Sequence, residues 1–552
     1  MRASHQTNDV DFGPWYPTHG DGMPNGIELT LTYLGEPYST SLANRDLGLA
    51  NSFHWGPRQY EHLTHTNDLG NLTTGEYRLG RRQHWLDAGG DNPALSMQQG
   101  VSPDGTTDGQ QTWFDYAMTG DHPAQRRPLM VLRVMPVGST DATWFVRTER
   151  NDWGLPINSV TTWTLDTGAR GLRTNTFTYS TDGRDLIAQT GPDGQLEHGL
   201  TYSDRQVIRS TNALNQVTSY TYNAAGQLQG IVRPSGLATT NYYYSSGTYT
   251  NWLERIVDYN GATPLRTNSY TYTNGFVRTH TDERGLTLTN TWDALGRLLR
   301  VDYPDATSIQ HTYSKLDRVR TVDRLSFTNA WAYDALRRLT HATNALNRIT
   351  EWSYCTCGSL DWVKDANGTN TFFEYDAAGR RTDTIAGDNF HTGVTYNLPG
   401  QVVRTTDSAG LAITNSYNHQ GLLYTSSTAL GRLSLVRYDA HDRTTNTVDA
   451  NGIAIATPFD PLGRVLTRTY PDNGVERFGY TANVAAVTAY TNQVTNVVLY
   501  AYDVYGRKTN ETYVGVSTNQ FTYDAGGAIK TLRDGKNQLT TWDYMLRTFL
   551  RS

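Results

Sequence analysis

Carboxylates recur along the second half of this 552-residue sequence, and two of them held together could act as a general acid and a general base. Each follows an aromatic residue, as in Tyr375-Asp376 and Tyr502-Asp503, and the pairs return about every 21 residues. A catalytic pair is built once in a protein, whereas a turn former can be built many times. The recurrence therefore indicates that these aspartates shape turns, and we predict no catalytic residue and no enzyme activity.

The only two cysteines, Cys355 and Cys357, occupy one turn between Tyr354 and Gly358. Structural zinc sites take four ligands, and the sequence has no second cysteine pair to complete such a set. The pattern favours a turn variant with reduced thiols. A local disulfide and a metal site stay open as alternatives.

Other chemical motifs are weaker still. The segment Glu61-His62-Leu63-Thr64-His65 superficially resembles a zinc-protease helix, but its order is wrong for that motif and its neighbourhood lacks helical periodicity. No nucleophile elbow, phosphate loop or dinucleotide fingerprint occurs. We therefore predict no catalytic, cofactor-binding or metal-ligating residue and no cofactor. An enzymatic site hidden within residues 1–165 is the third of our functional hypotheses.

The composition indicates many short strands joined by turns. Tyr supplies 35 residues and Gly 50, while the hydrophobic fraction is only 37%. A formal charge of −6 gives no reason to expect nucleic acid as a partner. No segment approaches the ~18 apolar residues of a membrane span, and the polar N-terminus is no signal peptide.

Aromatic anchors reveal an internal repeat. They recur at exact intervals of 21 residues, at Tyr333, Tyr354, Tyr375, Tyr396, Tyr417, Tyr438, Phe459 and Tyr480. A fixed period of this length is typical of a repeat architecture.

Each repeat unit reads as two strands and two tight turns. After the anchor come Asp or Asn, two variable residues, Gly and Arg, as in Phe459-Asp460-Pro461-Leu462-Gly463-Arg464. Asp opens a turn through its side chain and Gly closes it with a positive φ. Where Gly is missing, Asp317 and Asp442 are predicted to take its place, whereas Arg337 has no explanation.

The arginine after the turn glycine could stack on a neighbouring tyrosine or pair with the turn aspartate, and a planar guanidinium does both better than an ammonium group. This position is occupied by Arg184, Arg297, Arg318, Arg338, Arg380, Arg443, Arg464, Arg507 and Arg547.

The motif Tyr-Asp-x-x-Gly-Arg-Leu at this period resembles the RHS/YD-repeat family, which includes bacterial Rhs and polymorphic-toxin shells, toxin-complex shell subunits and teneurins. The resemblance covers roughly residues 170–547. It implies an extracellular or cell-surface location, which the chain itself leaves unknown. Gly26–Tyr33 also resembles the β-rich module that precedes such repeats.

The number of strands predicts the architecture. About 17 units give on the order of 34 strands, and open sheets rarely exceed ~10 without curling or closing. We expect an all-β fold, a long antiparallel sheet of hairpin repeats wound as a hollow spiral shell. Residues 1–165 would form a β-rich N-terminal module and residues 166–552 the repeat shell, incomplete at its C-terminus.

The leading functional hypothesis is a non-enzymatic shell that encloses or displays a cargo. The resemblance implies a C-terminal core and a toxic domain that this sequence lacks, so cargo or further repeats would be encoded separately. One alternative is a surface adhesin that binds glycans through tyrosine and tryptophan side chains. A second is a β-propeller scaffold, in which two units would make one blade.

Overall fold

The computed structural model describes residues 2–6, 29–33, 36–40, 51–64, 72–85, 94–116, 118–119, 122–123, 127–137, 140–165, 167–481 and 484–544. Strands dominate, and two short helices lie near the N-terminus. Within these ranges, no helix has the length and apolar character needed to cross a membrane.

The elements that precede the regular repeats are short. They are β1 Arg2–Gln6, β2 Leu29–Tyr33, β3 Glu36–Thr40, β4 Asn51–His54, α1 Pro57–Glu61, α2 Thr74–Arg78, β5 Arg81–Trp85, β6 Leu95–Gln99, β7 Gln111–Asp115, β8 Met118–Thr119, β9 His122–Pro123, β10 Met130–Val137, β11 Thr140–Arg150 and β12 Pro156–Thr164.

Hairpin strands of similar length follow one another from residue 170 onwards. The first group is β13 Arg170–Tyr179, β14 Leu186–Thr190, β15 Leu196–Ser203, β16 Gln206–Asn212, β17 Val217–Tyr222, β18 Leu228–Val232, β19 Leu237–Tyr243, β20 Leu253–Asn260, β21 Thr263–Thr273, β22 Phe276–Thr281, β23 Thr287–Trp292, β24 Leu298–Asp302, β25 Ser308–Ser314, β26 Asp317–Val322, β27 Thr328–Tyr333, β28 Leu339–Thr343 and β29 Ile349–Tyr354. The second group is β30 Leu360–Lys364, β31 Asn370–Tyr375, β32 Arg381–Ile385, β33 His391–Tyr396, β34 Val402–Asp407, β35 Ala412–Tyr417, β36 Leu423–Thr428, β37 Gly431–Tyr438, β38 Thr444–Asp449, β39 Ala454–Ala456, β40 Thr467–Thr469, β41 Val475–Gly479, β42 Ala489–Thr491, β43 Val497–Tyr502, β44 Lys508–Tyr513, β45 Ser517–Tyr523, β46 Ile529–Arg533 and β47 Leu539–Thr541.

The strands form one sheet of 43 members, accompanied by two small hairpins, β2–β3 and β8–β9. Sequential strands pair antiparallel, as in β31 with β32 and β32 with β33. This confirms the predicted all-β antiparallel sheet of hairpin repeats. The propeller alternative is wrong, because a propeller would divide these strands into separate four-stranded blades.

A bulge accompanies many of the anchor tyrosines. In β31, Glu374 pairs with Asp383 whereas Tyr375 pairs with Arg381, so the register shifts by one residue at the anchor. The five residues 376–380 make the connection, with Gly379 at φ +84°. A type I turn followed by a left-handed glycine is a common way to close a short hairpin loop. The anchor, the turn and the bulge are therefore one local structure.

The described chain packs as two compact units. The first comprises Met1–Arg184, Thr190–Gly194 and Glu351–Ile453. Both clusters of buried apolar side chains found among the described residues belong to it. One cluster contains Met97, Trp113, Met130, Leu132, Phe145 and Val160, and the other contains Phe53, Trp55, Leu63, Leu72, Tyr77 and Leu79.

The second unit comprises Asp185–Gln189, Gln195–Thr350 and Ala454–Ser552. Val257 is buried there, but most side chains of its strands are only half-buried. The strand ladders and their side-chain pairs, rather than a thick core, must therefore contribute most of its stability.

The helices α1 and α2 were not predicted. α1 begins with Pro57 after Gly56, whose amide donates to Gln59 Oε1 at 3.0 Å. Thr73 and Glu76 cap α2 reciprocally, with Thr73 N donating to Glu76 Oε2 at 2.7 Å. The lack of helical periodicity near Glu61 did not indicate α1, because a five-residue helix is too short to show a periodicity and is instead marked by its caps.

Candidate functional site

The turns that follow the anchors repeat one side-chain arrangement in several copies. In one copy, Asp376 Oδ1 accepts from the Arg380 amide at 2.8 Å and Oδ2 accepts from Arg380 Nε at 2.6 Å. The Gly379 amide donates to the Asp376 carbonyl at 2.9 Å. Both carboxylate oxygens are therefore used inside the turn, as a turn former requires.

The same ion pair recurs in other copies of the turn. It joins Arg297 to Asp293, Arg338 to Asp334, Arg380 to Asp376, Arg443 to Asp439, Arg464 to Asp460, and Arg507 to Asp503. The predicted pairing of the repeat arginine with the turn aspartate is confirmed at these positions. Arg547 lies outside the described residues.

Hydrogen bonds lower the pKa of two of these turn carboxyls, Asp293 and Asp334. The backbone amide of Arg297 and then its guanidinium lower the pKa of Asp293. The amide of Arg338 is also the largest cause of the lowered pKa of Asp334; burial opposes it, and the Arg338 guanidinium adds a smaller lowering effect. These aspartates are held as anions by a fixed local cage, which suits a structural role better than proton transfer.

The repeat arginine also reaches the next unit. Arg464 lies over the ring of Tyr480 at 4.2 Å from its centroid, and Arg380 lies over Tyr396 at 4.9 Å. A guanidinium over an aromatic face is favourable, and more so where water is partly excluded. The predicted stacking on a neighbouring tyrosine is confirmed at these positions. One arginine thus closes its own turn and contacts the following anchor.

The hydroxyl of the anchor completes this connection, and the sequence reasoning missed it. Tyr480 donates to the carbonyl of Val465 at 2.8 Å, which is the residue directly after Arg464. Equivalent bonds span 15 residues from Tyr222, Tyr243, Tyr313, Tyr333, Tyr396, Tyr417, Tyr438, Tyr502 and Tyr523. The sequence did carry a signal for this bond. The residue after a repeat arginine and the next anchor tyrosine are 15 residues apart, as Val465 and Tyr480 are.

Turns that lack glycine use several residues at positive φ. Asp442 has φ +63°, as predicted. The prediction for Asp317 is wrong, because Asp317 begins β26 and Lys315 takes the positive φ of that shorter turn instead. Arg337 adopts φ +64°, and its guanidinium binds Asp317 at 2.7 Å.

Segments near the N-terminus contact repeat turns within the first unit. Arg173 makes a bidentate pair with Asp442, with both distances at 2.8 Å. Thr164 accepts from the His419 amide at 2.9 Å. Gln59 Nε2 donates to the Ala377 carbonyl at 2.6 Å.

The N-terminal tryptophans lie mostly in packed surroundings. Trp55 and Trp113 are buried in the two apolar clusters. Trp153 is exposed, and Arg184 lies over its ring at 3.8 Å. Trp15 lies outside the described residues.

Cys355 and Cys357 form a disulfide across their turn, so the favoured interpretation of reduced thiols is wrong. The strand register brings the two residues within 5.1 Å between Cα atoms, which is inside the range that a disulfide spans. Arg58 Nη2 lies 3.1 Å from Cys357 Sγ. This arginine comes from α1, and no sequence pattern linked it to the cysteines.

His62 follows α1 and is exposed, and His65 lies outside the described residues. Across the part of the chain that the structure describes, no three His, Cys, Asp or Glu side chains form a group that could hold a metal ion.

An open cleft of about 480 Å³ in the second unit presents aromatic rings. Phe478, Tyr490, Tyr500 and Tyr502 line it together with Arg468, Glu476 and Val487. Glu476 accepts from the hydroxyl of Tyr490 at 2.8 Å.

Residues 202–238 match the RHS repeat. The chain therefore carries an RHS repeat, and its recurring turns extend the same pattern along the strands. It is 27% identical over 201 residues to the double-stranded DNA deaminase toxin A of Burkholderia cenocepacia, covering 36% of this chain and 11% of that protein. It is 27% identical over 198 residues to the probable deoxyribonuclease RhsB of Dickeya dadantii, covering 35% of this chain and 12% of that protein.

Two solved toxin-complex structures show similarity to this chain. A Tc holotoxin pore of Photorhabdus luminescens is 11% identical with a TM-score of 0.47, over 91% of this chain and 30% of that one. A TcdB2–TccC3 structure gives 11% identity and a TM-score of 0.47, over 83% of this chain and 32% of that one. The chain thus spans about a tenth of the curated relatives and about a third of these structures.

Proposed function

We propose that this chain is a non-enzymatic section of an RHS-repeat shell that encloses or displays a protein cargo. The observation that carries the proposal is the coupling of successive turns by one aspartate, one arginine and one tyrosine. Because the copies that carry these three residues bind the next copy in the same way, the strip can be lengthened without a new kind of contact. Such a strip is suited to making a wall.

A sheet with this many strands is expected to curve around an internal space. Strands twist relative to their neighbours, and open sheets rarely exceed ~10 strands without curling or closing. A barrel can be filled by its own side chains only near ~8 strands. A sheet of 43 strands is therefore expected to bend around space that its own side chains do not fill.

The nature of the cargo is inferred from the relatives. Two of them are named as a DNA deaminase toxin and a probable deoxyribonuclease, and the chain matches only 11% and 12% of their lengths. The turn carboxylates of this chain are occupied by backbone amides and guanidinium groups, which leaves them poorly suited to catalysis. We propose that toxic activity belongs to other domains, and that such a shell acts outside the cell that makes it.

The boundary at residue 165 is part of the same proposal. Residues 1–165 would form a module that docks on repeats of 166–552, supported by the bonds from Gln59 to Ala377 and between Thr164 and His419.

Cryo-electron microscopy of the purified chain, with small-angle scattering in solution, tests the shell. We expect density of a curved wall bordering an internal void. A compact particle without a void, or a straight ribbon, would contradict the proposal. Co-expression with a candidate cargo domain should then protect that domain from protease, whereas an equal amount of free domain is digested.

Glycan binding is the second candidate, favoured by the aromatic cleft that contains Phe478, Tyr490 and Tyr500. Aromatic faces beside charged side chains can stack on sugar rings. Titration with soluble polysaccharides should change tryptophan and tyrosine fluorescence if the cleft binds them, and Tyr500→Ala should remove the change. An unchanged signal across a glycan array would exclude this candidate.

A further inference from the structure

The turn that contains Cys355 and Cys357 differs from the other repeat turns because its side chains can be oxidised and reduced. Cys355 opens it in place of the usual aspartate, and the Gly358 amide donates to the Cys355 carbonyl at 2.9 Å. The Cys355 amide donates in turn to Ser359 O at 3.0 Å. The backbone therefore keeps the hairpin geometry of the other turns without needing the aspartate side chain.

A cation stands beside one of the two sulfurs. Arg58 Nη2 lies 3.1 Å from Cys357 Sγ and 3.9 Å from Cys355 Sγ. The same guanidinium lies over the ring of Tyr375 at 4.8 Å from its centroid. An adjacent arginine stabilises a thiolate relative to the thiol, so the site is prepared for a negative charge on Cys357.

α1 holds this arginine at the turn through its other side chains. Gln59 donates to the Ala377 carbonyl at 2.6 Å, and Thr356 Oγ1 donates to Glu61. Charged or titratable groups in contact with the turn and its guanidinium include Arg58 and Glu61 from α1 and Tyr375 from β31.

The two sulfurs differ in accessibility. Cys357 is buried with 8% of its surface exposed, whereas Cys355 is only half-buried. Exchange proceeds by attack of a thiolate on one sulfur, and the other sulfur leaves faster when its thiol has a lower pKa. Accessibility and charge therefore point in the same direction, with Cys355 as the sulfur attacked and Cys357 as the leaving group.

We propose that Cys355 and Cys357 form a reversible dithiol–disulfide site, reduced by an external dithiol, in which Arg58 is a positioning residue. A thiolate of the reductant attacks Cys355 Sγ, the bond between the two cysteines breaks, and its electron pair goes to Cys357 Sγ beside Arg58. The second thiolate of the reductant then attacks the reductant's first sulfur, which is bonded to Cys355 Sγ in the mixed disulfide. This breaks that bond and releases the Cys355 thiolate. The protein gains two electrons and two protons, and the reductant becomes a cyclic disulfide.

A trapping experiment on the full chain tests the direction of attack. The air-oxidised protein is treated with a monothiol, quenched in acid and mapped by mass spectrometry. We expect the mixed disulfide mainly on Cys355. Equal modification of both cysteines, modification mainly on Cys357, or free thiols in the oxidised protein would overturn the proposal.

A kinetic experiment tests Arg58. Reduction by dithiothreitol is followed by alkylation of the released thiols, for the native chain and for Arg58→Gln, Arg58→Lys and Arg81→Gln. Arg81 is exposed at the start of β5 and serves as the matched control. We expect Arg58→Gln to slow reduction by about threefold or more, since the leaving thiolate loses its cation.

The pH profile separates electrostatics from folding. Alkylation of Cys357 in the reduced chain should shift to higher pH in Arg58→Gln, and Arg58→Lys should restore most of the native profile because it keeps the charge. Arg81→Gln should leave both the rate and the profile unchanged. If Arg58→Gln does not fold, the pH dependence of Cys357 alkylation is compared between the native chain, Arg58→Lys and an unfolded Cys-Thr-Cys peptide. A native or Arg58→Lys profile that matches the profile of the peptide would also overturn the proposal.

Discussion

At the level of single residues, the turns depend on a left-handed backbone at one position. Gly506 has φ +76°, and an added Cβ would meet no atom within 4 Å. Any cost of a side chain here is therefore conformational rather than steric against neighbours. Residues other than glycine, asparagine and aspartate take this conformation with difficulty.

We expect Gly506→Ala to lower the free energy of unfolding of its hairpin by about 1 kcal/mol. Gly506→Asn should cost less, because asparagine tolerates positive φ better. Local hydrogen exchange of the amides in β43 and β44 measures the effect. Equal stability of the alanine and glycine forms would show that the turn can change its backbone without loss.

The anchor hydroxyl provides a second test at this scale. Tyr480→Phe removes the bond to Val465 O at 2.8 Å and keeps the ring. We expect a loss of about 0.5–1.5 kcal/mol, the usual net contribution of a hydrogen bond, measured by chemical denaturation. Tyr220→Phe is the control, since the Tyr220 hydroxyl makes no hydrogen bond among the described residues. A loss as large in the control would assign the effect to the ring environment instead.

The residue types in the sequence predicted the conformation of the turns better than they predicted the contacts that the turn residues make with distant parts of the chain. Asp442 and the repeat arginines were interpretable because local turn chemistry fixes what they do within five residues. The bond from Tyr480 to Val465 and the contact of Arg58 with Cys357 depend on which strands and helices become neighbours. Arg337 shows the same limit, since its partner Asp317 lies 20 residues away.

At the level of elements, the hairpin is stabilised by a short ion pair that is partly shielded from water. Arg464 binds Asp460 at 2.6 Å with side-chain exposures of 15% and 8%, and it also covers Tyr480. Arg300 binds Asp302 at the same distance of 2.6 Å with exposures of 45% and 39%. The two pairs differ mainly in burial and in the number of partners, so they make a matched comparison.

We expect Arg464→Lys to destabilise its hairpin by about 1–3 kcal/mol, because an ammonium group cannot keep the forked pair and the ring contact together. Arg300→Lys should change stability by less than about 0.5 kcal/mol, as exposed pairs usually do. Denaturant unfolding of both variants decides the point. Similar losses in the two would show that the repeat arginine acts through its charge alone.

Sequence patterns predicted strands better than helices at this scale. The prediction of two strands in each repeat unit is confirmed by β31, which ends at the anchor Tyr375. α1 has only five residues and is defined by Gly56, Pro57 and Gln59 at its start. These caps are local signals too short to show a periodicity, and the bond from Gln59 to the Ala377 carbonyl depends on a distant repeat turn.

At the level of the whole molecule, stability is spread over many equivalent turns. A single copy contributes little, yet the pair between a turn aspartate and its arginine recurs in six described copies of the turn. The pKa of Asp293 and that of Asp334 are both lowered, first by a backbone amide and also by a guanidinium. Their protonation is therefore linked to the unfolding of the sheet.

Lowered carboxyl pKa values fix the sign of the pH dependence. The stabilisation is complete above the unfolded pKa of ~3.9 and is lost as the pH falls through the lower folded values. We expect the unfolding temperature, followed by circular dichroism, to stay level from pH 7 to about 5 and to fall steeply below pH 4.

Asp334→Asn should flatten the acid limb of the curve for its own hairpin, because that carboxyl no longer titrates. Asp361→Asn, at an exposed position in β30, should leave the curve parallel to that of the native chain. A native curve that stays level down to pH 2 would mean that the turn carboxylates do not support the sheet.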